Sequence, residues 1–167
     1  MSLNTLAALS PVDGRYASRC TELRSLFSES GLVRARVRVE IAWLNALAAN
    51  PGIPEMQGLA DADLPVAAEI AAAFSEDDAA AVKAIECETN HDVKAVEYFI
   101  KQKLAAHAAW QSRLEFVHFA CTSEDINNLA YGVMCLEARD AVLLPRLDSL
   151  ANALRAMAHA HADDAMM

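Results

Sequence analysis

The chain has 167 residues, 54% of them hydrophobic, and a formal net charge of −9. That length suits one domain or one and a half, with ample apolar material for a core. The acidic balance argues against nucleic-acid or anionic-membrane binding, where a broad basic face supplies most of the affinity, but leaves room for a small anion in a locally positive pocket.

Thirty-five alanines set against five glycines and five prolines predict an all-α chain of closely packed helices. The N-terminus carries no basic-then-apolar leader, and no apolar run reaches the ~18 residues of a membrane span. Cys20, Cys87, Cys121 and Cys135 are scattered without a C-x-x-C pair, as in reduced cytoplasmic proteins. Arginines gather at 15, 19, 24, 34, 36 and 38; a solvated helix face accounts for most of them, leaving one or two for a ligand.

In chain order, residues 1–17 read as an irregular arm, because Pro11 and Gly14 break any helix. A helix is expected from Ser18 to Ser28. A longer one follows, capped by Ser30, with Leu32, Val33, Val37, Ile41, Leu44 and Leu47 near helical spacing. The stretch Arg34–Ile41 also alternates like a strand. Asn50-Pro51-Gly52-Ile53-Pro54 is a loop, and Ser75-Glu76-Asp77-Asp78 has the capping-box pattern that opens a helix through Val82 and Ile85. The helix after Asn90-His91-Asp92 carries Val93, Val96, Phe99, Ile100 and Leu104 on one stripe, and a shorter one holds Leu114, Phe116 and Val117. Ser123 is expected to cap a long helix whose first turn, with Glu124 and Asp125, complements the dipole. Pro145 kinks that helix or starts a new one with Leu147, Leu150, Leu154 and Met157. The closing residues 161–167 offer no helix stop, and two broad apolar helix faces lack later partners, so a piece of a longer chain, or a domain leaning on other subunits, is expected.

Two short polar strings stand out from this bland scaffold, Thr89-Asn90-His91-Asp92 and Cys121-Thr122-Ser123-Glu124-Asp125-Ile126-Asn127-Asn128. Each falls at the start of a helix, where unpaired N–H groups and the positive dipole end attract anions. Capping alone explains Ser123, Glu124 and Asp125, and roughly half of strings like the first are capping and nothing more. It does not explain Thr122, or two asparagines in the first turns of a helix. The functional reading gives His91 a hydrogen bond to a substrate oxygen or a proton to shuttle, and gives Thr122 and Ser123 a carboxylate. Asp13-Gly14-Arg15-Tyr16 is a third candidate piece of the same site. Cys87 with His91 and His118 with Cys121 could form a Cys2His2 zinc site, but neither half is a recognised zinc-binding pair, and no metal is expected. His118, His107, His159 and His161, each alone, read as surface or satisfied core histidines. The sequence has no G-x-G-x-x-G, P-loop, G-x-S-x-G elbow or H-E-x-x-H, so redox-cofactor, NTPase and common hydrolase readings lose their supports.

Three segments in order resemble the adenylosuccinate lyases in their longer bacterial form: Ser10-Pro11-Val12-Asp13-Gly14-Arg15-Tyr16, the run from Thr89 to Phe99, and His118-Phe119-Ala120-Cys121-Thr122-Ser123-Glu124-Asp125-Ile126-Asn127-Asn128. The resemblance spans essentially the whole chain and that family's N-terminal third. It implies an N-terminal helical domain over residues 1–120 and the start of a central helix bundle over 121–167. It also implies β-elimination of fumarate from adenylosuccinate to leave AMP, and from the succinyl-carboxamide ribotide, in a cytoplasmic homotetramer that needs no metal or organic cofactor. By that likeness Arg15 and Tyr16 hold the nucleotide phosphate, where an arginine fork suits the oxygens. Asn90, His91 and Asp92 line the nucleotide and succinyl portion, Thr122 and Ser123 bind a succinyl carboxylate, and His118 is a weaker phosphate-side candidate. The family's Thr-His-Gly-Gln motif with its general acid, and its mobile loop with the serine base, are absent from these 167 residues. No catalytic residue is therefore assigned, beyond His91 as an auxiliary, and the chain alone is expected to be inactive. The rivals are another fumarate-releasing lyase of the superfamily, such as one acting on argininosuccinate, and a non-catalytic helical interaction module.

Overall fold

The computed structural model describes residues 8–59 and 63–165, and within them it is all-α, with no strand. Seven α-helices follow one another: α1 (Thr21–Phe27), α2 (Glu29–Ala49), α3 (Leu64–Ala72), α4 (Glu76–Thr89), α5 (Asp92–Ala105), α6 (Ser123–Ala138) and α7 (Leu144–Ala160). Short 3₁₀ segments sit at Ala17–Arg19, Pro54–Met56 and Ala108–Phe116, and a π turn at Arg139–Leu143 separates α6 from α7. Among the described residues, no helix is long and apolar enough to cross a membrane.

The chain divides into two compact units, one running from Phe27 to Met134 and one joining the described residues up to Leu26 with those from Cys135 onward. In the first unit, α2 is the central element. Its N-cap is Ser28, whose Oγ accepts the Gly31 N–H at 3.2 Å, so Ser30 lies inside the first turn and does not cap. The helix starts there because Ser28 takes the extended backbone a cap requires, at φ −75° and ψ 168°. The strand alternative for Arg34–Ile41 fails for a related reason. The apolar residues at 33, 37, 41 and 44 are all buried, which is a helical stripe of one face.

That stripe packs with Val96, Phe99, Ile100 and Leu104 of α5, Val82 of α4 and Ala67 of α3 into the main core. Burying each large aliphatic side chain there stabilises by about 1.5–3 kcal/mol. Trp110, in the 3₁₀ segment, is fully buried and donates its indole N–H to the Asp63 carbonyl at 3.1 Å. The segment expected as a short helix around Leu114 is this 3₁₀ run, and Val117 lies one residue past its end. The alanine-rich α3 had no counterpart among the expected elements. At its foot, α4 carries the full capping box. Ser75 Oγ accepts the Asp78 N–H, and the Asp78 carboxylate accepts the Ser75 N–H. A second, smaller core joins Ala35 and Val39 of α2, Val93 of α5, and Ile126, Ala130 and Met134 of α6.

In the other unit, Arg146 of α7 holds the Glu22 carboxylate of α1 with both its Nε and Nη2, at 3.2 and 2.8–2.9 Å. Pro145 lies just after the π turn, and Leu143 and Leu144 before it keep helical backbone. The helical run therefore continues through the proline, whose missing N–H is accommodated beside the widened turn, and no new helix starts there. Leu147, Leu150, Leu154 and Met157 of α7 are each more than half exposed.

Candidate functional site

The first polar string forms the α4–α5 junction. Asn90 ends α4 in a left-handed conformation at φ 51°, which asparagine tolerates better than most residues, and its N–H closes on the Glu86 carbonyl at 2.8 Å. The turn is held by the Thr89 hydroxyl, which donates to the His91 carbonyl at 3.2 Å. His91 is then the N-cap of α5, its Nδ1 accepting the Lys94 N–H at 3.1 Å. The neutral ring therefore carries its proton on Nε2, the nitrogen left for other contacts. Beside it, Lys83, Glu86, Cys87, Asn90, His91 and Asp92 line an open depression of about 580 Å³.

Asp92 serves the fold as well as any ligand. Its Oδ1 accepts the Val93 N–H at 2.8 Å, and its Oδ2 receives Arg36 Nη2 at 2.5 Å. Burial alone would raise this carboxyl, but the Val93 N–H and the Arg36 guanidinium together hold it below the usual carboxylate range. Arg36 also donates from Nε to Asn127 Oδ1 at 2.8 Å, so one guanidinium ties the start of α5 to the first turns of α6. Arg36 is 5% exposed, so it is not among the clustered arginines that a solvated face accounts for. Asn127 has its explanation in the same contact.

The second polar string follows a loop with two left-handed residues, His118 at φ 65° and Ala120 at φ 60°. The loop is clamped from α2. Trp43 donates its indole N–H to the Phe119 carbonyl at 2.8 Å, and Glu40 Oε1 meets His118 Nδ1 at 2.6 Å. Helix α6 is then capped by Thr122, not by Ser123. The Thr122 hydroxyl accepts the Asp125 N–H, while its own N–H and O–H both donate to Asp125 Oδ2, at 2.7 and 2.9 Å. These bonds from Thr122 hold the Asp125 carboxyl below its ordinary value. The physical reason for the displacement is the partner. Asp125 stands three residues after Thr122, as a capping box requires, whereas the residue three after Ser123 is Ile126.

Freed from capping, Ser123 Oγ lies 3.4 Å from His91 Nε2. The two helix starts thus meet side by side, each offering a polar side chain at its positive end. Cys121 is a poor nucleophile. Burial, with the charges of Glu40 and Asp125, pushes its thiol up. Among the described residues, no group of three His, Cys, Asp or Glu side chains gathers as metal ligands would. An apolar groove of about 590 Å³ lies along the same face, lined by Trp43, Ala120, Cys121, Ile126, Leu129 and Val133 among others.

The unit running from Phe27 to Met134 therefore holds Asn90, His91, Asp92, His118, Thr122 and Ser123, and packs them around α2. Arg15 and Tyr16 belong to the other unit. There the Arg15 guanidinium stacks over the Tyr16 ring at 4.7 Å from its centroid, and both side chains are exposed. Sequence reasoning missed Arg36, Glu40 and Trp43, whose spacing of four and three residues puts them on one side of α2. The available signal was a charged residue inside an apolar stripe, at positions 36 and 40 between Val33, Val37, Ile41 and Leu44.

Comparison with known proteins identifies the family. A lyase family model matches residues 14–167. The adenylosuccinate lyase of Escherichia coli (strain K12) is 48% identical over 163 residues, covering 98% of this chain and 36% of that protein. The adenylosuccinate lyase of Vibrio cholerae serotype O1 is 50% identical over 163 residues, with the same coverage. That of Legionella pneumophila (strain Corby) is 42% identical over 167 residues, covering 100% of this chain and 37% of that protein. The chain spans about a third of the length of the curated relatives it matches. With nine-tenths of its length inside the family model, this chain belongs to the lyase family.

Proposed function

We propose that this chain supplies part of the substrate surface of a cytoplasmic lyase that eliminates fumarate from adenylosuccinate to give AMP, and from the corresponding succinyl-carboxamide ribotide. In that reaction a base takes a proton from the succinyl carbon next to a carboxylate, the C–N bond breaks, and an acid protonates the departing nitrogen. Relatives of 42–50% identity bear that enzyme's name. The observation that carries the reading is the approach of His91 Nε2 and Ser123 Oγ to 3.4 Å where α5 and α6 both begin. A carboxylate placed there would meet an imidazole N–H, a serine hydroxyl and the positive ends of two helices of 14 and 16 residues.

Thr122 contributes by fixing the start of α6 beside the carboxylate, since its hydroxyl and its N–H both already serve Asp125. Asp92, held ionised by Arg36, is suited to accepting hydrogen bonds from ribose or base donors, with Asn90 beside it. Arg15 and Tyr16 are offered as the phosphate contact, on the exposure of the guanidinium and its fork geometry. The proton-transferring groups lie outside these 167 residues, so the chain alone binds without turning over. The bare leucine row of α7 supports assigning residues 121–167 to the start of a central helix bundle within a homotetramer.

The test is a titration of the labelled chain with AMP, fumarate and arginine, followed by amide NMR shifts. AMP should move Arg15, and fumarate should move His91 and Ser123, with no turnover of adenylosuccinate. A response to arginine in place of AMP would favour a different fumarate-releasing lyase. Silence towards all three would leave a non-catalytic interaction module.

A further inference from the structure

We propose that Glu40 is a positioning residue for His118. Its buried carboxylate keeps the proton of the imidazole on Nδ1, so that Nε2 is the one ring nitrogen left to meet a ligand. The inference rests on the proposed lyase function and on His118 belonging to its substrate surface, where the family resemblance makes it a weaker phosphate-side candidate.

Glu40 is 0% exposed in the middle of α2, flanked by Val37, Ile41 and Leu44 of the apolar stripe. A carboxyl group in such a place is unfavourable unless a specific contact compensates, and an aliphatic side chain would fill the space at lower cost. The compensation is partial. Oε1 meets His118 Nδ1 at 2.6 Å, while the buried Oε2 has no hydrogen-bond partner. A residue retained in half-satisfied burial fits a role in the site better than one in packing.

What Glu40 holds is itself strained. His118 and Ala120 both adopt left-handed backbone without being glycine, a conformation that persists only where the surroundings enforce it. The enforcement comes from two side chains three residues apart on α2, Trp43 on the Phe119 carbonyl and Glu40 on the His118 ring. Fixing the second nitrogen of a histidine is the usual way in which a carboxylate orients an imidazole and selects its tautomer.

The experiment uses the whole chain with ¹⁵N-histidine, at a pH of about 8.5, above the ordinary imidazole range. Long-range ¹H–¹⁵N spectra read which nitrogen of His118 carries the proton. The expected result is a protonated Nδ1 in the wild type, and loss of that proton in favour of Nε2 in Glu40→Leu. Glu40→Gln, whose amide oxygen can still accept, should restore the Nδ1 proton. His91, whose Nδ1 separately accepts the Lys94 N–H, should keep its tautomer in all three and reports that the fold is intact. An unprotonated His118 Nδ1 in the wild type, or an unchanged tautomer in Glu40→Leu, would overturn the proposal. No ligand is present in this measurement, so its outcome is independent of the AMP and fumarate titration.

Discussion

Removing the Arg36 guanidinium should cost the unit around α2 about 2–3 kcal/mol, because one side chain makes two cross-helix bonds from a buried position. Arg36→Met keeps the aliphatic stem and deletes both bonds, to Asp92 Oδ2 and to Asn127 Oδ1. Hydrogen bonds to charged groups contribute about 1.5–3 kcal/mol each. Two of them would sum to more than the stated figure, but the Asp92 side chain is 43% exposed, so water recovers part of what it loses. Arg36→Lys should lose about 1–1.5 kcal/mol, since a single ammonium cannot span both acceptors. Urea unfolding followed by circular dichroism at neutral pH reads these differences through the midpoint at constant slope. The acid limb supplies a second check. Asp92 is held below its ordinary range, so its contribution is present above the unfolded-state value of ~3.9 and is lost as pH falls through the lower folded value. Arg36→Met should flatten the stability curve in that window. A loss below about 0.5 kcal/mol for Arg36→Met, or a lysine variant as stable as the wild type, would refute the two-bond account.

Thr122→Ala should destabilise by about 1 kcal/mol as a lost cap, whereas Ser123→Ala should stay within about 0.5 kcal/mol; thermal melts of the pair distinguish the two positions. Leu104→Ala, at 0% exposure in the main core, should cost about 3–4 kcal/mol by chemical denaturation, and a value under 1 would mean that the core closes around the cavity. The Asp78 carboxyl is held low first by Lys103, with the Ser75 N–H and hydroxyl adding to it. Its contribution is therefore present above the unfolded carboxylate value and disappears as pH falls through the folded one. Asp78→Asn should weaken that acid dependence, and amide exchange at the start of α4 would show faster opening at neutral pH.

How far the fold could be read from the chain varied with how local its causes were. The stripes on α2 and α5 and the Ser75 capping box depend on residues three or four apart, and each appears in the structure at its expected place. Two caps were misplaced because neighbouring hydroxyls compete, Ser28 with Ser30 and Thr122 with Ser123. At Thr122 the winner is decided by the Asp125 carboxylate three residues on, and at Ser28 by the extended backbone that a cap requires; a list of cap-forming residues weighs neither. Arg36 could not be singled out among the clustered arginines for a longer-range reason. Its acceptors are 56 and 91 residues away in sequence, and only the meeting of α2, α5 and α6 makes a buried arginine tolerable. For the site, the two polar strings were legible because helix starts seldom need so many hydrogen-bonding groups. The supports from α2 were not, since Glu40 and Trp43 look like ordinary members of an amphipathic helix until the loop carrying His118 is laid across them.

One imidazole in this protein is a latch as well as the contact proposed for a substrate oxygen. Because His91 fastens the first turn of α5 through Nδ1, any replacement that cannot accept an N–H will loosen that turn along with whatever else it removes, and a screen scoring only output would conflate the two losses. Asparagine, which fastens helix starts well but exchanges no proton, is the substitution that pulls them apart.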